Sequence, residues 1–264
     1  MESIMTIPFM EEIIESCHYF WEAGWGEFHA GNVSYLLSDE EISAASEWFE
    51  REPVHVEVGF EASELEGSCF LVTRAGGAFR TIRNHASRDL GIIRIGNQGY
   101  DILWGLDGGK ARATSELPAH ILCHQARRRK NADNKIVMHC HPTYVNAMTA
   151  IHELDEKEFT KSLWKMNSEC ILVFPEGLGL LPWMVCGDGP IGPATAEKME
   201  KYRVVIWPIH GMFASGASLE ETIGLIETIE KNAHIYLMCQ GCLKNCIHDN
   251  QLKALAEAFH ITAV

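Results

Sequence analysis

The stretch from Lys135 to Asn146, KIVMHCHPTYVN, constrains this chain more than any other. Ile136, Val137 and Met138 lead into His139-Cys140-His141, and Pro142 closes the run. A short apolar run stopped by proline reads as a strand. Side chains alternate between the faces of a strand, so His139 and His141 point the same way with Cα atoms about 7 Å apart, and Cys140 points the other way. Two imidazoles on one face at a strand end can share a metal ion through Zn–N bonds of about 2.0–2.1 Å. Taken alone, a motif this short reads more readily as two unconnected histidines.

Other residues supply partners. His210 follows a second apolar strand, Val204-Val205-Ile206-Trp207, which Pro208 stops. Loops at strand ends are where rigid scaffolds display chemistry. Three histidines leave one position of a tetrahedral zinc open, as in a catalytic site. Glu116 lies in Thr114-Ser115-Glu116-Leu117-Pro118, which reads as a helix start with Ser or Thr as cap, the acid in the first turn, and the helix running to about Lys130. An open metal beside a carboxylate suits proton abstraction next to a carbonyl. A rival grouping, Glu116, His120 and His124, falls on one face of that helix at i, i+4, i+8. For those two histidines the favoured reading is a plain helix-surface or core position.

Along the chain, a helix is predicted from Met10 to Gly24 and a strand from Val33 to Leu37. Between them Gly26–Asn32 forms a turn that can present N–H groups to an anion, although a plain turn is favoured on sequence alone. A short acidic helix spans Ser38 to Glu50, and Val54 to Gly67 reads as irregular. A strand covers Ser68 to Thr73, and Arg74-Ala75-Gly76-Gly77 after it is a second, weak anion loop. Leu90–Ile95, Gly96-Asn97-Gln98-Gly99 and Tyr100–Trp104 read as a hairpin. Helices follow from Thr143 to Glu153 and Glu156 to Met166, then a strand from Cys170 to Phe174 and a helix from Ile191 to Tyr202. Ser218 with Glu221 makes a capping box for a helix reaching about Met238, and a last helix runs from Asp249 to Phe259. Strands and helices alternate without a clear linker, which points to a single α/β domain over residues 1–264. The hairpin and the paired helices break a strict βαβ rhythm, so a mixed or antiparallel sheet is expected.

Acidic residues number 36 and basic residues 22, a formal charge of −14. That argues against nucleic acid as a partner, which recruits clustered Lys and Arg. No apolar run reaches the roughly 18–20 residues that span a bilayer, so no membrane partner is expected. Without a basic-then-apolar leader the expectation is a reducing cytoplasm, with the nine cysteines mostly thiols. Cys69, Cys123, Cys140 and Cys170 read as small buried hydrophobes. Cys239, Cys242, Cys246 and His248 could form a small metal or redox site, but an incidental group is favoured.

Five segments in this order resemble the zinc-dependent class II aldolase/adducin superfamily and, within it, the rhamnulose-phosphate aldolases: Thr114–Pro118, Met138–His141, Val173–Gly177, Leu181–Met184 and Trp207–Gly211. The likeness runs from Gly24-Trp25 to the helix after Ser218. Each motif is weak alone; five in order are strong. The resemblance implies a three-layer sandwich, a central mixed or mainly antiparallel sheet flanked by helices. It implies one Zn(2+) per subunit held by His139, His141 and His210, with Glu116 removing or returning the proton on the bond-forming carbon. The reaction would be reversible cleavage of L-rhamnulose 1-phosphate to dihydroxyacetone phosphate and L-lactaldehyde through a metal-stabilised enediolate. The phosphate would lie among His29, Gly31, Asn32, Gly76 and Ser115. Glu169 matches an acid that the family places in a neighbouring subunit's site, in a homotetramer.

Two positions depart from the family pattern. His29 replaces a usual Asn, and Ala75 a usual Ser, so the second loop can offer a phosphate only backbone N–H groups. Close rivals are fuculose-phosphate aldolase and ribulose-phosphate 4-epimerase, whose chains are typically shorter than this one with its segment Ser38–Gly67. A non-catalytic adducin-type domain would lose the metal, against which stand the three histidines and Glu116. A zinc hydrolase would usually carry a helical His-Glu-x-x-His, which this chain lacks.

Overall fold

The computed structural model describes residues 3–59, 62–96, 98–187 and 189–263. Among the described residues, nine strands form one sheet in the order β2-β5-β4-β3-β1-β6-β9-β8-β7. Their bounds are β1 Asn32–Leu36, β2 Val54–Glu57, β3 Cys69–Thr73, β4 Leu90–Gly96, β5 Gly99–Gly105, β6 Ile136–Cys140, β7 Gly179–Leu180, β8 Val204–Trp207 and β9 Gly211–Gly216. Every neighbouring pair is antiparallel except β7 with β8. The sheet is thus mixed and mainly antiparallel, as expected.

The central strands are buried on both faces, which is why β3 and β6 are buried along their whole length. Alternation sorts their side chains into two cores. Val33, Leu71, Met138 and Cys140 face one side, where the helices Pro8–Glu22, Thr143–Ile151, Glu156–Trp164 and Leu219–Cys239 contribute Phe20, Met148, Leu163 and Ile229. On the other side Phe70 and Val72 meet Leu117 and Ile121, while Val137, Val205 and Phe213 meet Ala119, Cys123 and Ile191. That layer is built by the helices Leu117–Lys130 and Ile191–Met199. Each buried Leu, Ile or Phe adds about 1.5–3 kcal/mol, so the pattern of apolar residues sets which face each helix presents.

Several expectations change. Cys170–Phe174 is not a strand. Ser168–Val173 is helical, because the Asn167 side chain caps it by accepting from the Glu169 N–H at 3.0 Å, and a five-residue apolar run carries no period of its own. The segment Val54–Gly67 is not irregular throughout. It holds the edge strand β2 and a 3-10 turn, Ser63–Leu65, and β2 buries only Val56, so it lacks the apolar signature of the centre. β7 and β9 are strands beyond those the sequence predicts. The hairpin Leu90–Trp104 is present as β4 and β5, while Asn97 of its turn lies outside the described residues. Ser218 caps the helix Leu219–Cys239 by accepting from the Glu221 N–H, but the Glu221 carboxylate reaches back to Ala217 rather than to Ser218. All nine cysteines are free thiols, and Cys69, Cys123, Cys140 and Cys170 are buried as expected.

Candidate metal centre and active site

β6 delivers His139 and His141, and the turn between β8 and β9 delivers His210. That turn is tight. Ile209 adopts φ +60, a region a β-branched residue enters only when its surroundings force it. Here its N–H donates to Thr149 Oγ1 at 3.0 Å, and the Asn146 amide donates to the His210 carbonyl at 2.6 Å. Both partners lie on the helix that Pro142 starts. At Gly211 a Cβ would run into the Cys140 carbonyl and come within 2.8 Å of the His141 ring, so glycine lets the hairpin close behind the histidines.

His139 Nε2 lies 3.2 Å from His210 Nε2 and 3.3 Å from His141 Nε2. Among the described residues these three form the one grouping of His, Cys, Asp or Glu donors within 4.8 Å of each other. The opposite nitrogens fix their tautomers. His139 Nδ1–H donates to the Met212 carbonyl at 3.0 Å, and His141 Nδ1–H donates to Glu27 Oε1 at 2.9 Å. A neutral ring with its proton on Nδ1 carries a lone pair on Nε2. The facing nitrogens are therefore two acceptors, which repel unless a cation lies between them. Bonds of about 2.0–2.1 Å to a tetrahedral zinc place nitrogens roughly 3.3 Å apart. The residues present fit such an ion. Burial, then His141 and His210, hold His139 well below the ordinary imidazole range; burial and then His141 lower His210, so both stay neutral and able to ligate. The His139 ring stacks on Phe213 with centroids 4.7 Å apart, which fixes its plane.

Glu116 completes the site. It is itself the N-cap of the helix Leu117–Lys130, in place of the expected Ser or Thr cap with the acid in the first turn, and makes no side-chain cap bond there; Thr114 Oγ1 accepts from the Glu116 N–H at 3.3 Å. Its carboxylate is left free to reach into the site, where Oε2 stands 3.8 Å from His139 Nε2. Asn32 pairs directly with His139 across β1 and β6, and its Nδ2 donates to Glu116 Oε2 at 2.7 Å. Burial raises the Glu116 carboxyl above the usual carboxylate range, opposed by Asn32, His210 and His141.

The expected phosphate residues sit at the same end of the sheet. β1 begins at Asn32 beside the end of β3, and Arg74 bridges to Ala113, two residues before Ser115. Gly31 and Gly76 both have positive φ, and Ser115 and His29 are exposed, His29 lying against the Phe28 ring. The Asn32 side chain is committed to Glu116 and to His120, not to open space. Glu169 is exposed on the helix Ser168–Val173 and, among the described residues, makes no hydrogen bond or ion pair to the histidines. His120 and His124 are fully buried core residues and form no metal grouping with Glu116. Cys239, Cys242, Cys246 and His248 likewise form none. Sequence reasoning missed Glu27, in the loop before β1, and Asn146 and Thr149, both on the helix Thr143–Ile151, which hold the triad in place. No spacing announces them, because each acts through a contact distant in sequence.

A mainly antiparallel sheet between helical layers, with three histidines and a carboxylate at one end, defines a class II aldolase architecture. The chain belongs to the Class II Aldolase and Adducin N-terminal domain family, which matches residues 11–237. It is 42% identical to a rhamnulose-1-phosphate aldolase of Listeria monocytogenes, over 99% of this chain and 97% of that one. It is also 42% identical to the enzyme of that name from Enterococcus faecalis, over 98% and 94% of the two chains. Among solved structures it resembles a sugar-phosphate aldolase from Thermotoga maritima, with a TM-score of 0.75 and 26% identity over 89% of this chain and 95% of that one.

Proposed function

We propose that this protein is a zinc-dependent aldolase that reversibly cleaves L-rhamnulose 1-phosphate to dihydroxyacetone phosphate and L-lactaldehyde in the cytoplasmic breakdown of L-rhamnose. The observation that carries the reading is the Glu116 carboxylate held 3.8 Å from a convergent imidazole nitrogen. The names of the relatives support the substrate.

His139, His141 and His210 would hold the zinc, which when bound supplies Lewis acidity to the substrate oxygens beside the bond that breaks. The residues of the chain do the rest. In cleavage the C4 hydroxyl loses its proton to solvent and becomes the aldehyde carbonyl, the C3–C4 electron pair stays with the three-carbon fragment, and the protonated Glu116 carboxyl delivers its proton to that carbon. In synthesis Glu116 removes it. Burial raises the Glu116 carboxyl above the usual carboxylate range, which favours its holding a proton and suits a group that must both give and take one. The backbone N–H groups around Gly31 and Gly76 and the Ser115 hydroxyl would take the phosphate, with His29 at the rim. Asn32, already engaged, is assigned to Glu116 instead. Glu169 would serve the aldehyde end of a neighbouring subunit's site in a homotetramer, and residues 1–264 would act as one domain.

The test is coupled detection of dihydroxyacetone phosphate from L-rhamnulose 1-phosphate, with zinc-loaded and chelated protein, and with light scattering for the oligomer. Cleavage that is lost on chelation and regained with zinc is expected. Turnover of L-fuculose 1-phosphate in preference to the rhamnulose ester would overturn the substrate assignment.

A further inference from the structure

Asn32 reaches past Glu116 into a buried row of polar side chains that the metal centre does not use. His120 Nε2 meets Asn32 Oδ1, Ser34 Oγ lies 2.7 Å from His120 Nδ1, and His124 Nε2 lies 2.8 Å from the same Ser34 oxygen. Asn32 and Ser34 share a face of β1, and His120 and His124 share a face of the helix Leu117–Lys130. Ser34, His120 and His124 are completely buried. Phe213 packs against His120 and Phe70 against His124, with ring centroids 5.2 and 4.9 Å apart.

Each proton in this row is determined by its neighbour. The Glu116 carboxylate only accepts, so Asn32 turns its NH2 toward it and its Oδ1 toward His120. That oxygen also only accepts, so His120 must carry its proton on Nε2. Burial keeps both histidines neutral, so His120 Nδ1 is bare and accepts from the Ser34 hydroxyl. The Ser34 oxygen then accepts from His124 Nε2–H. His124 Nδ1 is left buried without a partner. A row whose only role was to fill space would do better with apolar side chains, since an unpaired buried acceptor is costly.

We propose that His120 and Ser34 are positioning residues for Glu116: they lock the Asn32 amide with its NH2 toward Oε2, so that the carboxylate is held in place beside the histidines. All four donors of the row point toward the carboxylate, His124 to Ser34 to His120 to Asn32 to Glu116. The inference rests on the reading above, in which Glu116 moves that proton. His120 touches no reacting atom; it acts through Asn32.

Two measurements test it. In protein labelled with 15N-histidine, long-range 15N–1H correlation should show both His120 and His124 protonated on Nε2, with or without zinc; His120 protonated on Nδ1 overturns the proposal. In the cleavage assay, Ser34→Ala should lower kcat roughly 10–100-fold, the range for partners that orient an active group, with KM within about twofold and zinc content unchanged. Ser34→Thr, which keeps the hydroxyl and suits a strand, should restore kcat. A folded, zinc-loaded Ser34→Ala enzyme with wild-type kcat overturns the positioning role alone. Wild-type protein that does not cleave, or Glu116→Gln that does, overturns the reading of Glu116 and this inference with it. If Ser34→Ala does not fold, the tautomer measurement on wild type still decides.

Discussion

Asn32 stands directly opposite His139 in the register of β1 and β6, and its side chain holds the Glu116 carboxylate beside that histidine. One cross-strand pair thus ties the proposed metal ligand to the proposed base. The distance between them is set by a sheet rather than by a flexible loop.

Replacing Glu116 by Gln preserves shape, and the Gln carbonyl can still accept from Asn32, but it removes the group that carries the proton. We expect kcat to fall about 10²–10⁴-fold, the usual contribution of a positioned acid or base. Zinc content should stay at the wild-type level. Rate and metal content measured on the same preparation check this, and a variant that keeps its zinc and its rate would show that the base lies elsewhere.

His210 comes from a strained turn, not from β6, and should be the ligand removable at least cost to the fold. His210→Ala is expected to lose zinc while His139 and His141 keep their Nδ1 partners. For wild type, zinc at about 100 times its dissociation constant should add about 2.7 kcal/mol of stability. Metal analysis and urea unfolding with and without zinc read both effects. An unfolding midpoint indifferent to zinc in the wild type would count against a metal at this site.

Gly31 precedes β1 with φ +82, and a Cβ there would lie 2.5 Å from Phe79 Cε2 and 3.3 Å from the His139 carbonyl. Phe79 is buried and cannot retreat freely. Gly31→Ala should therefore destabilise by about 1–3 kcal/mol through strain and overpacking, measured by urea unfolding. The catalytic rate should fall as well, because Asn32 follows immediately.

Acid should unfold the metal-free protein steeply. Burial, and to a lesser degree His139, lowers His120 to about 3, and burial then His120 place His124 well below the ordinary value of 6.5. A depressed histidine contributes stability that is present above its unfolded value and is lost as pH falls through the window between 6.5 and the folded value. Each should cost about 1.4 kcal/mol per pH unit there. Glu116 and Glu230, both raised by burial, act with the opposite sign and offset part of the loss as they protonate. Denaturant unfolding from pH 7 to 4 gives the slope, and a flat profile would mean that the histidines charge without unfolding the core.

Local chemistry made much of this protein legible from its residues. Alternation along Ile136–Cys140 put His139 and His141 on one face, Pro142 and Pro208 marked where two strands stop, and the alternating elements announced a sheet between helices. Those signals are properties of a few neighbouring residues. The tertiary structure decided what depends on pairing across the chain. It made Cys170–Val173 helical, because a cap and a packed face outweigh weak strand propensity in so short a run. It recruited β2, β7 and β9, whose sequences lack an apolar signature or hide it behind glycine. It brought His210 to β6, set Glu27 and Met212 behind the imidazoles, and turned Asn32 from an open loop toward Glu116 and His120. Which hydrogen bonds a buried polar side chain makes is settled by what folding places beside it, and no spacing in the sequence contains that.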